Sequence, residues 1–309
     1  MKKIVITEFM DPPAVAALAQ QAEVCYDAAL VDDAPRLLTL VRDADAVIIR
    51  NRTQMRGELL AASGRLLVIG RLGVGLDNID VAACEARGIR VIPATGANAL
   101  AVAEYVIGTA MLLLRGVYQS TGQVASGAWP RAALSAGRET AGKTLGLIGL
   151  GSIGRLTAGL AHGLGMRVVA HDPMLHPDDA VWSQTRVQGL ALDALLAQAD
   201  VVSLHIPLTP QTQGLLSASR VASMKKGAVV INTARGGIAD EAAIAAAIRA
   251  GRLGGAAFDV FDPEPLPAGN PWSGCPNVIL TPHVAGVTAE ANERVSSLIA
   301  AAVTKALGL

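Results

Sequence analysis

Thr144–Arg155 reads TLGLIGLGSIGR. Its first half is an apolar run of strand length. Its second half spaces three glycines as G-x-G-x-x-G, at Gly149, Gly151 and Gly154, and a helical pattern follows from Arg155. In that context each glycine has its own task. The first permits a tight turn, the second lets the backbone approach a pyrophosphate, and the third lets helix and strand pack closely. Ser152 and Ile153 complete the loop. The anion would sit at the helix N-terminus, where free N–H groups and the helix dipole favour it. The spacing alone is a weak signal, because the chain holds 32 glycines; the strand before it and the helix after it supply the weight. The next apolar stretch, MRVVAHDP, ends in Asp172, about 20 residues on. A carboxylate there accepts the ribose hydroxyls of NAD and repels the 2′-phosphate of NADP.

Outward from this loop, short apolar runs alternate with helical patterns. The candidate strands of this series are Leu145–Gly149, Arg167–His171, Val201–His205, Ala228–Asn232, Ala256–Val260 and Val278–Leu280. That is the strand count of a full dinucleotide-binding sheet. An earlier series has Ile4–Thr7, Ala46–Ile49, Leu66–Ile69 and Val91–Ile92, with helical stretches such as Pro13–Gln21 and Pro35–Val41. Continuous apolar strands alternating with helices predict an α/β protein of doubly wound parallel sheets, covered on both faces. A length of 309 residues, at roughly 150 per domain, suggests two domains. A long helix, Ala99 to Arg115, and the polar, glycine-dotted stretch Gly116–Gly142 separate the two series. Irregular stretches of that length are often functional or lie at an interface. The last helix, Ala289 to Leu307, follows the second series without having to belong to it.

Hydrophobic residues form 51% of the chain and charged residues 17%, which excludes a disordered protein. Lys plus Arg total 26 and Asp plus Glu total 26, so charge gives no reason to expect nucleic acid or a membrane surface as partner. Cys25, Cys84 and Cys275 share no metal-ligand spacing and read as reduced thiols, with no metal site. The start, MKKIVITEFMD, has only a short apolar run cut by Glu8, and reads as a first strand rather than a signal peptide. No apolar stretch reaches the roughly 18 residues of a membrane span. The expectation is a soluble, cytoplasmic protein.

Ligands of open α/β sheets bind beyond the carboxyl ends of the strands. Four groups gather there. Arg235 follows the strand that ends in INTARGG. Asp259 closes a strand in FDVFDPEPLP, with Glu264 shortly after, and His283 follows the strand of VILTPHVAG. Removing a hydride from a secondary alcohol requires a base for the hydroxyl proton, and histidine, with an ordinary pKa of about 6.5, suits that task. A carboxylate on its far nitrogen would fix the tautomer. An arginine grips a carboxylate with two parallel hydrogen bonds and polarises a carbonyl oxygen. In LHIPLTPQT, Ile206 and Pro207 lie at another strand end and could line the cofactor.

In order, GRLGVGLDNID, GLGSIGR, LHIPLTPQT, INTARGG, DVFDPEP and TPHVAG closely resemble the successive signatures of the D-isomer-specific 2-hydroxyacid dehydrogenases, nearly end to end. The resemblance implies Arg235, Glu264 and His283 as catalytic residues. It implies that Asp172 holds the adenosine ribose and that Asp259 lies near the nicotinamide amide. Thr233, Ala234 and Gly286 join the cofactor set. It also implies that the backbone N–H groups of Gly73, Val74 and Gly75 bind the substrate carboxylate. The implied architecture is a Rossmann NAD domain, residues 98–285, inserted into a flavodoxin-like substrate domain, residues 1–97 plus 286–309, with the site in the cleft. Relatives are commonly homodimers, and Gly116–Gly142 resembles their dimer-forming segment.

One place departs from the pattern. Relatives often have an arginine and then a serine after the strand that here ends in VIIR, whereas this chain reads IIRNRTQM, with Arg50, Asn51 and Arg52. Two arginines flanking the substrate position suit a small-molecule substrate with a second anionic group, unless Arg52 points to solvent. The alternatives are 3-phosphoglycerate and a hydroxypyruvate or glyoxylate type of substrate. From a different class, a non-catalytic NAD-sensing regulator would share the fold.

Overall fold

Along Ala46–Ile49 successive side chains leave the sheet on opposite faces, and both faces are apolar. Ala46 and Ile48 join one core with Ile4, Ile6 and Val68, while Val47 and Ile49 join another with Val5 and Ile69. Such a strand must be covered on both sides, which parallel sheets achieve through helical crossovers. The computed structural model describes residues 1–309. It divides into two units, Met1–Asn98 with Val287–Leu309, and Ala99–Gly286.

The first unit holds β1 (Lys3–Ile6), β2 (Glu23–Tyr26), β3 (Ala46–Ile49), β4 (Val68–Arg71) and β5 (Arg90–Pro93). They pair in parallel in the order β2-β1-β3-β4-β5, the flavodoxin-like order, which reverses between β1 and β3. One face is covered by Val295, Ile299 and Val303 of the helix Ala289–Leu307. That helix lies so close that a Cβ on Gly70 would stand 2.7 Å from Ile299 Cγ2. The other face is covered by Leu37, Val41, Leu60 and Cys84.

The second unit holds β6 (Thr144–Ile148), β7 (Arg167–His171), β8 (Gln188–Gly189), β9 (Val201–Leu204), β10 (Val229–Asn232), β11 (Gly255–Phe258) and β12 (Val278–Leu280). Their order is β12-β11-β10-β9-β6-β7-β8, parallel throughout. This is the dinucleotide-binding order with one strand added beyond the usual six. The direction of winding reverses between β6 and β9, and the glycine loop leaves the sheet at that point. The helix Ala99–Arg115 contributes Val106, Ala110, Leu113 and Leu114 to the core on one face. No single helix is long and apolar enough to cross a membrane, and no group of His, Cys, Asp and Glu side chains could hold a metal ion.

Two strands escape the sequence reading, β2 and β8. Both lie at sheet edges, so they lack the fully apolar run of a central strand. β2 is the half-exposed EVCY, and β8 is a two-residue Gln-Gly pairing.

Candidate active site

The three glycines of the loop after β6 play three different steric parts. Gly149 has φ +98°, and a Cβ there would lie 2.5 Å from the carbonyl oxygen of His205, at the end of β9. A Cβ on Gly154 would lie 2.5 Å from the Gly149 oxygen, so helix and strand touch through hydrogen alone. A Cβ on Gly151 would meet nothing within 4 Å. That position faces open space, the room a pyrophosphate requires. The helix Ser152–Gly163, which carries Ile153 in its first turn, starts at Gly151 with no side-chain cap and no acidic residue, so its first N–H groups remain available to an anion.

Asp172, just past β7, is fixed beside this loop. Its Oδ2 accepts the Leu150 N–H at 2.8 Å and its Oδ1 accepts the Met174 N–H at 3.0 Å. Each oxygen keeps a lone pair for a ribose hydroxyl. Past β10, Asn232 closes the turn by accepting the Ala234 N–H at 3.0 Å and donating to the Arg235 oxygen at 2.8 Å. The neighbouring Thr233 Oγ1 is buried with no partner. An orphaned hydroxyl at the carboxyl edge, an open glycine position and an uncapped helix start together fit a dinucleotide. Past β9, Ile206 packs against the core beside His205. Burial pushes the His205 imidazole down to about 4, and its Nε2 meets Ser203 Oγ at 3.0 Å.

Arg235, Glu264 and His283 all lie on loops at this carboxyl edge. A Cβ on Gly236 would lie 2.1 Å from the Phe261 carbonyl carbon, so the arginine turn runs directly against the loop that carries the glutamate. Arg235 Nη1 donates to the Ala234 oxygen at 2.6 Å. Glu264 Oε1 accepts the Phe261 N–H at 3.0 Å, and Oε2 lies 2.9 Å from His283 Nδ1. A carboxylate can only accept, so Nδ1 carries the proton and Nε2 is left for another partner. His283 takes φ +58°, a left-handed conformation uncommon outside glycine. Its N–H donates to the Asp259 oxygen at 2.8 Å. The buried Asp259 carboxylate accepts Val284 N–H at 2.8 Å, Ala285 N–H at 2.8 Å and Thr281 Oγ1 at 2.6 Å. Gly286 follows as the last residue of this unit.

In the first unit, the loop after β3 wraps a carboxylate. The side chain of Glu8, from the end of β1, is buried. It accepts the N–H groups of Arg50 at 2.9 Å, Arg52 at 3.2 Å and Thr53 at 3.0 Å, and the Thr53 hydroxyl at 2.8 Å. The two arginines take different partners. Arg50 donates to Asn292 Oδ1 at 3.1 Å and lies 5.7 Å from the centre of the Phe9 ring. Arg52 forms an ion pair with Asp32, and both side chains are more than half exposed. Asn51 is exposed. In the loop after β4, Arg71 donates to the oxygens of Leu72 and Gly75, each at 2.9 Å. A Cβ on Gly73 would lie 2.0 Å from Arg71 Nη1, so any larger residue there has to displace this guanidinium. Val74 is exposed at the tip.

The family model described as D-isomer specific 2-hydroxyacid dehydrogenase, NAD binding domain, matches residues 107–285. The chain belongs to the D-isomer specific 2-hydroxyacid dehydrogenase family. This dehydrogenase is an NAD-dependent oxidoreductase that moves a hydride between NAD and a D-configured 2-hydroxy acid. It is 52% identical to the (S)-sulfolactate dehydrogenase of Chromohalobacter salexigens, over 100% of this chain and 99% of that protein. It is 40% identical to the D-3-phosphoglycerate dehydrogenase of Mycobacterium bovis, over 98% of this chain but only 56% of that longer protein. Among solved structures, the TT0316 protein of Thermus thermophilus superposes with a TM-score of 0.87 at 33% identity, covering 99% of this chain and 97% of that one.

Two polar residues of the dehydrogenase have a structural role that their place in the sequence does not announce. Glu8 is one. The other is Asn78, which is buried and donates to the oxygens of Arg50 at 2.8 Å and Thr53 at 2.7 Å. Together they clamp the loop after β3 from both sides.

Proposed function

We propose that this dehydrogenase interconverts a dianionic D-2-hydroxy acid of the sulfolactate kind and its 2-keto acid. The observation that carries the reading is the 52% identity, end to end, to a (S)-sulfolactate dehydrogenase. The stereochemical label is consistent with a D-specific family. In sulfolactate the sulfur-bearing carbon outranks the carboxylate, so S names the spatial arrangement called D in lactate.

His283 Nε2 is the proton acceptor for the C2 hydroxyl, and Glu264 stabilises the resulting imidazolium through Nδ1. Bound NAD would supply the hydride acceptor for C2. Gly149, Gly151, Ser152, Ile153 and Gly154 would hold its pyrophosphate, and Asp172 its adenosine ribose. Ile206, Pro207, Thr233, Ala234, Asp259 and Gly286 would line its nicotinamide half. Arg235 offers a two-donor fork to the carboxylate and a positive charge to the C2 oxygen as it becomes an alkoxide-like centre. The N–H groups of Val74 and Gly75 bind carboxylate oxygens, whereas that of Gly73, expected to join them, donates to the Arg71 oxygen at 2.8 Å. Arg50, Asn51 and Arg52 supply the polar side chains for the second anion.

The protein is further proposed to act in the cytoplasm as a homodimer. Tyr118, Val124 and Trp129 are 61%, 44% and 79% exposed in the segment after the helix Ala99–Arg115, a run of apolar surface that suits a second copy. The deciding experiment is a substrate panel followed at the nicotinamide absorbance, with sulfolactate, 3-phosphoglycerate, glycerate, glyoxylate and lactate. Highest kcat/KM on sulfolactate supports the reading. A preference for 3-phosphoglycerate moves the assignment to the 40% identical relatives, and no turnover on any of them removes it.

A further inference from the structure

The Asp259 carboxylate is the fixed point of the turn that carries His283. It receives Val284 and Ala285 N–H, while its own backbone oxygen receives His283 N–H. The turn forces a left-handed backbone on a histidine, a conformation that costs about 1–2 kcal/mol relative to the right-handed one. It therefore relies on the bonds around it. The third donor to Asp259 is Thr281 Oγ1, at 2.6 Å, two residues before His283.

Thr281 extends this set in a fixed direction. Facing a carboxylate, its hydroxyl has to donate, which leaves its oxygen lone pairs as acceptors. Tyr105 OH lies 2.6 Å from that oxygen, so the phenol donates to Thr281. Tyr105 stands on the helix Ala99–Arg115, well removed in sequence from its partner. Burial, the largest influence on it, pushes the phenol above the ordinary tyrosine value, and the nearby Asp259 charge acts in the same direction. The phenol keeps its proton throughout the working range. A donor placed on one side of a hydroxyl strengthens the bond the hydroxyl makes on the other, and it fixes a rotor that would otherwise turn.

We infer that Tyr105 is a positioning residue for catalysis, acting through Thr281 and Asp259 to hold the turn that carries His283. The inference rests on the reading of His283 as the acid/base. No other phenol serves the cofactor unit in this way, since Tyr118 is exposed and Tyr26 donates to Met10 in the other unit.

The test uses the full chain with NADH and the best keto acid of the panel. Y105F removes one hydroxyl and is expected to lower kcat about three- to tenfold, the worth of a neutral hydrogen bond. The dissociation constant for NADH, read from protein fluorescence quenching, should stay within twofold. In a T281V background, Y105F should cause no additional loss, because its route to Asp259 is already cut. T281S keeps the hydroxyl and should lose less activity than T281V while remaining sensitive to Y105F. A wild-type kcat in Y105F overturns the inference, as does an undiminished Y105F effect in T281V. H283A separates the two readings. If H283A retains turnover, the acid/base assignment falls. If H283A is inactive and Y105F is silent, only the role of Tyr105 falls. Should Y105F not fold, the contrast between T281S and T281V still tests the relay, and equal kcat in those two overturns it.

Discussion

Glu264 bridges two elements with its two oxygens: Oε2 meets His283 Nδ1 at 2.9 Å, and Oε1 takes the Phe261 N–H at 3.0 Å. The backbone bond aims the carboxylate, and the carboxylate aims the imidazole. H283A is therefore predicted to lower kcat by about a hundredfold or more with NADH affinity unchanged. E264Q keeps the size of the side chain but removes the charge that faces the imidazolium, so kcat should fall roughly ten- to a hundredfold, the worth of a hydrogen bond to a charged group, while NADH affinity holds. Steady-state kinetics beside NADH binding check this, and a wild-type kcat in E264Q dissolves the pair.

Asp172 is held by two backbone N–H groups beside the glycine loop, where a 2′-phosphate would bring a second anion. The wild type should prefer NAD to NADP, and D172A should narrow the preference by raising the KM for NAD. Ratios of kcat/KM for the two cofactors decide it. Equal efficiency in the wild type contradicts the prediction.

Arg52 already has an anionic partner in Asp32. A sulfonate would have to compete with that partner or share the guanidinium with it. A charged hydrogen bond contributes about 1.5–3 kcal/mol, roughly ten- to a hundredfold in specificity. R52A should raise KM for sulfolactate by that factor and leave lactate nearly unaffected. D32N should move KM for sulfolactate the other way. Equal losses on both substrates in R52A would leave the arginine a surface ion pair only.

Glu8 receives four hydrogen bonds from residues 50 to 53. E8Q turns one accepting oxygen into a donor facing N–H groups, a mismatch that costs about 1–3 kcal/mol. The melting temperature should fall. In the surviving folded protein, KM for the keto acid should rise while NADH affinity holds, because the loop belongs to the first unit and the glycine loop to the second. An unchanged KM would show that this loop does not meet the substrate.

His205 gives an acid-side stability prediction. Burial sets its folded value at about 4, below the ordinary histidine value of about 6.5. Between those two values the unfolded chain binds the proton that the folded chain refuses. The stabilisation is complete above about pH 6.5 and lost as pH falls toward 4, on the order of 3 kcal/mol in all. Urea melts at pH 7 and pH 4.5 should show a smaller difference in H205N than in wild type. Parallel pH slopes would refute the assignment.

Legibility followed the reach of the interactions. The stretches Ala46–Ile49, Arg167–His171, Val278–Leu280, Ala99–Arg115 and Ala289–Leu307 have the bounds read from the sequence, because local apolar period decides them. Leu66–Ile69 slid to Val68–Arg71, since Leu67 is 43% exposed and the sheet begins after it. β2 and β8 exist only because a neighbour is there to pair with. At the site, strand ends were readable, so Arg235, Glu264 and His283 could be set on one edge. The clamp on the loop after β3 was not readable. Glu8 acts across 42 to 45 residues, and no local pattern announces such a bond. Nor could the sequence reveal that Arg52 turns to Asp32, a matter of rotamer rather than of period.

The helix Ala289–Leu307 covers one face of the sheet whose five strands lie within the first 98 residues. On the ribosome, these strands are made long before their lid. At about 5–20 residues per second, the interval is on the order of ten to forty seconds. Throughout that time Ile4, Ile6, Ile48 and Val68 have only Ala14 and Leu18 of the helix Pro12–Ala19 over them and lack Val295, Ile299 and Val303, while the unit Ala99–Gly286 draws on no later segment. The nascent protein is thus a natural client for a chaperone at its leading end, a hypothesis motivated by this late-arriving helix. Ribosome-arrested chains stopped before Ala289 should be cut by protease within residues 1–98 and protected beyond them; equal protection of both parts would disprove it.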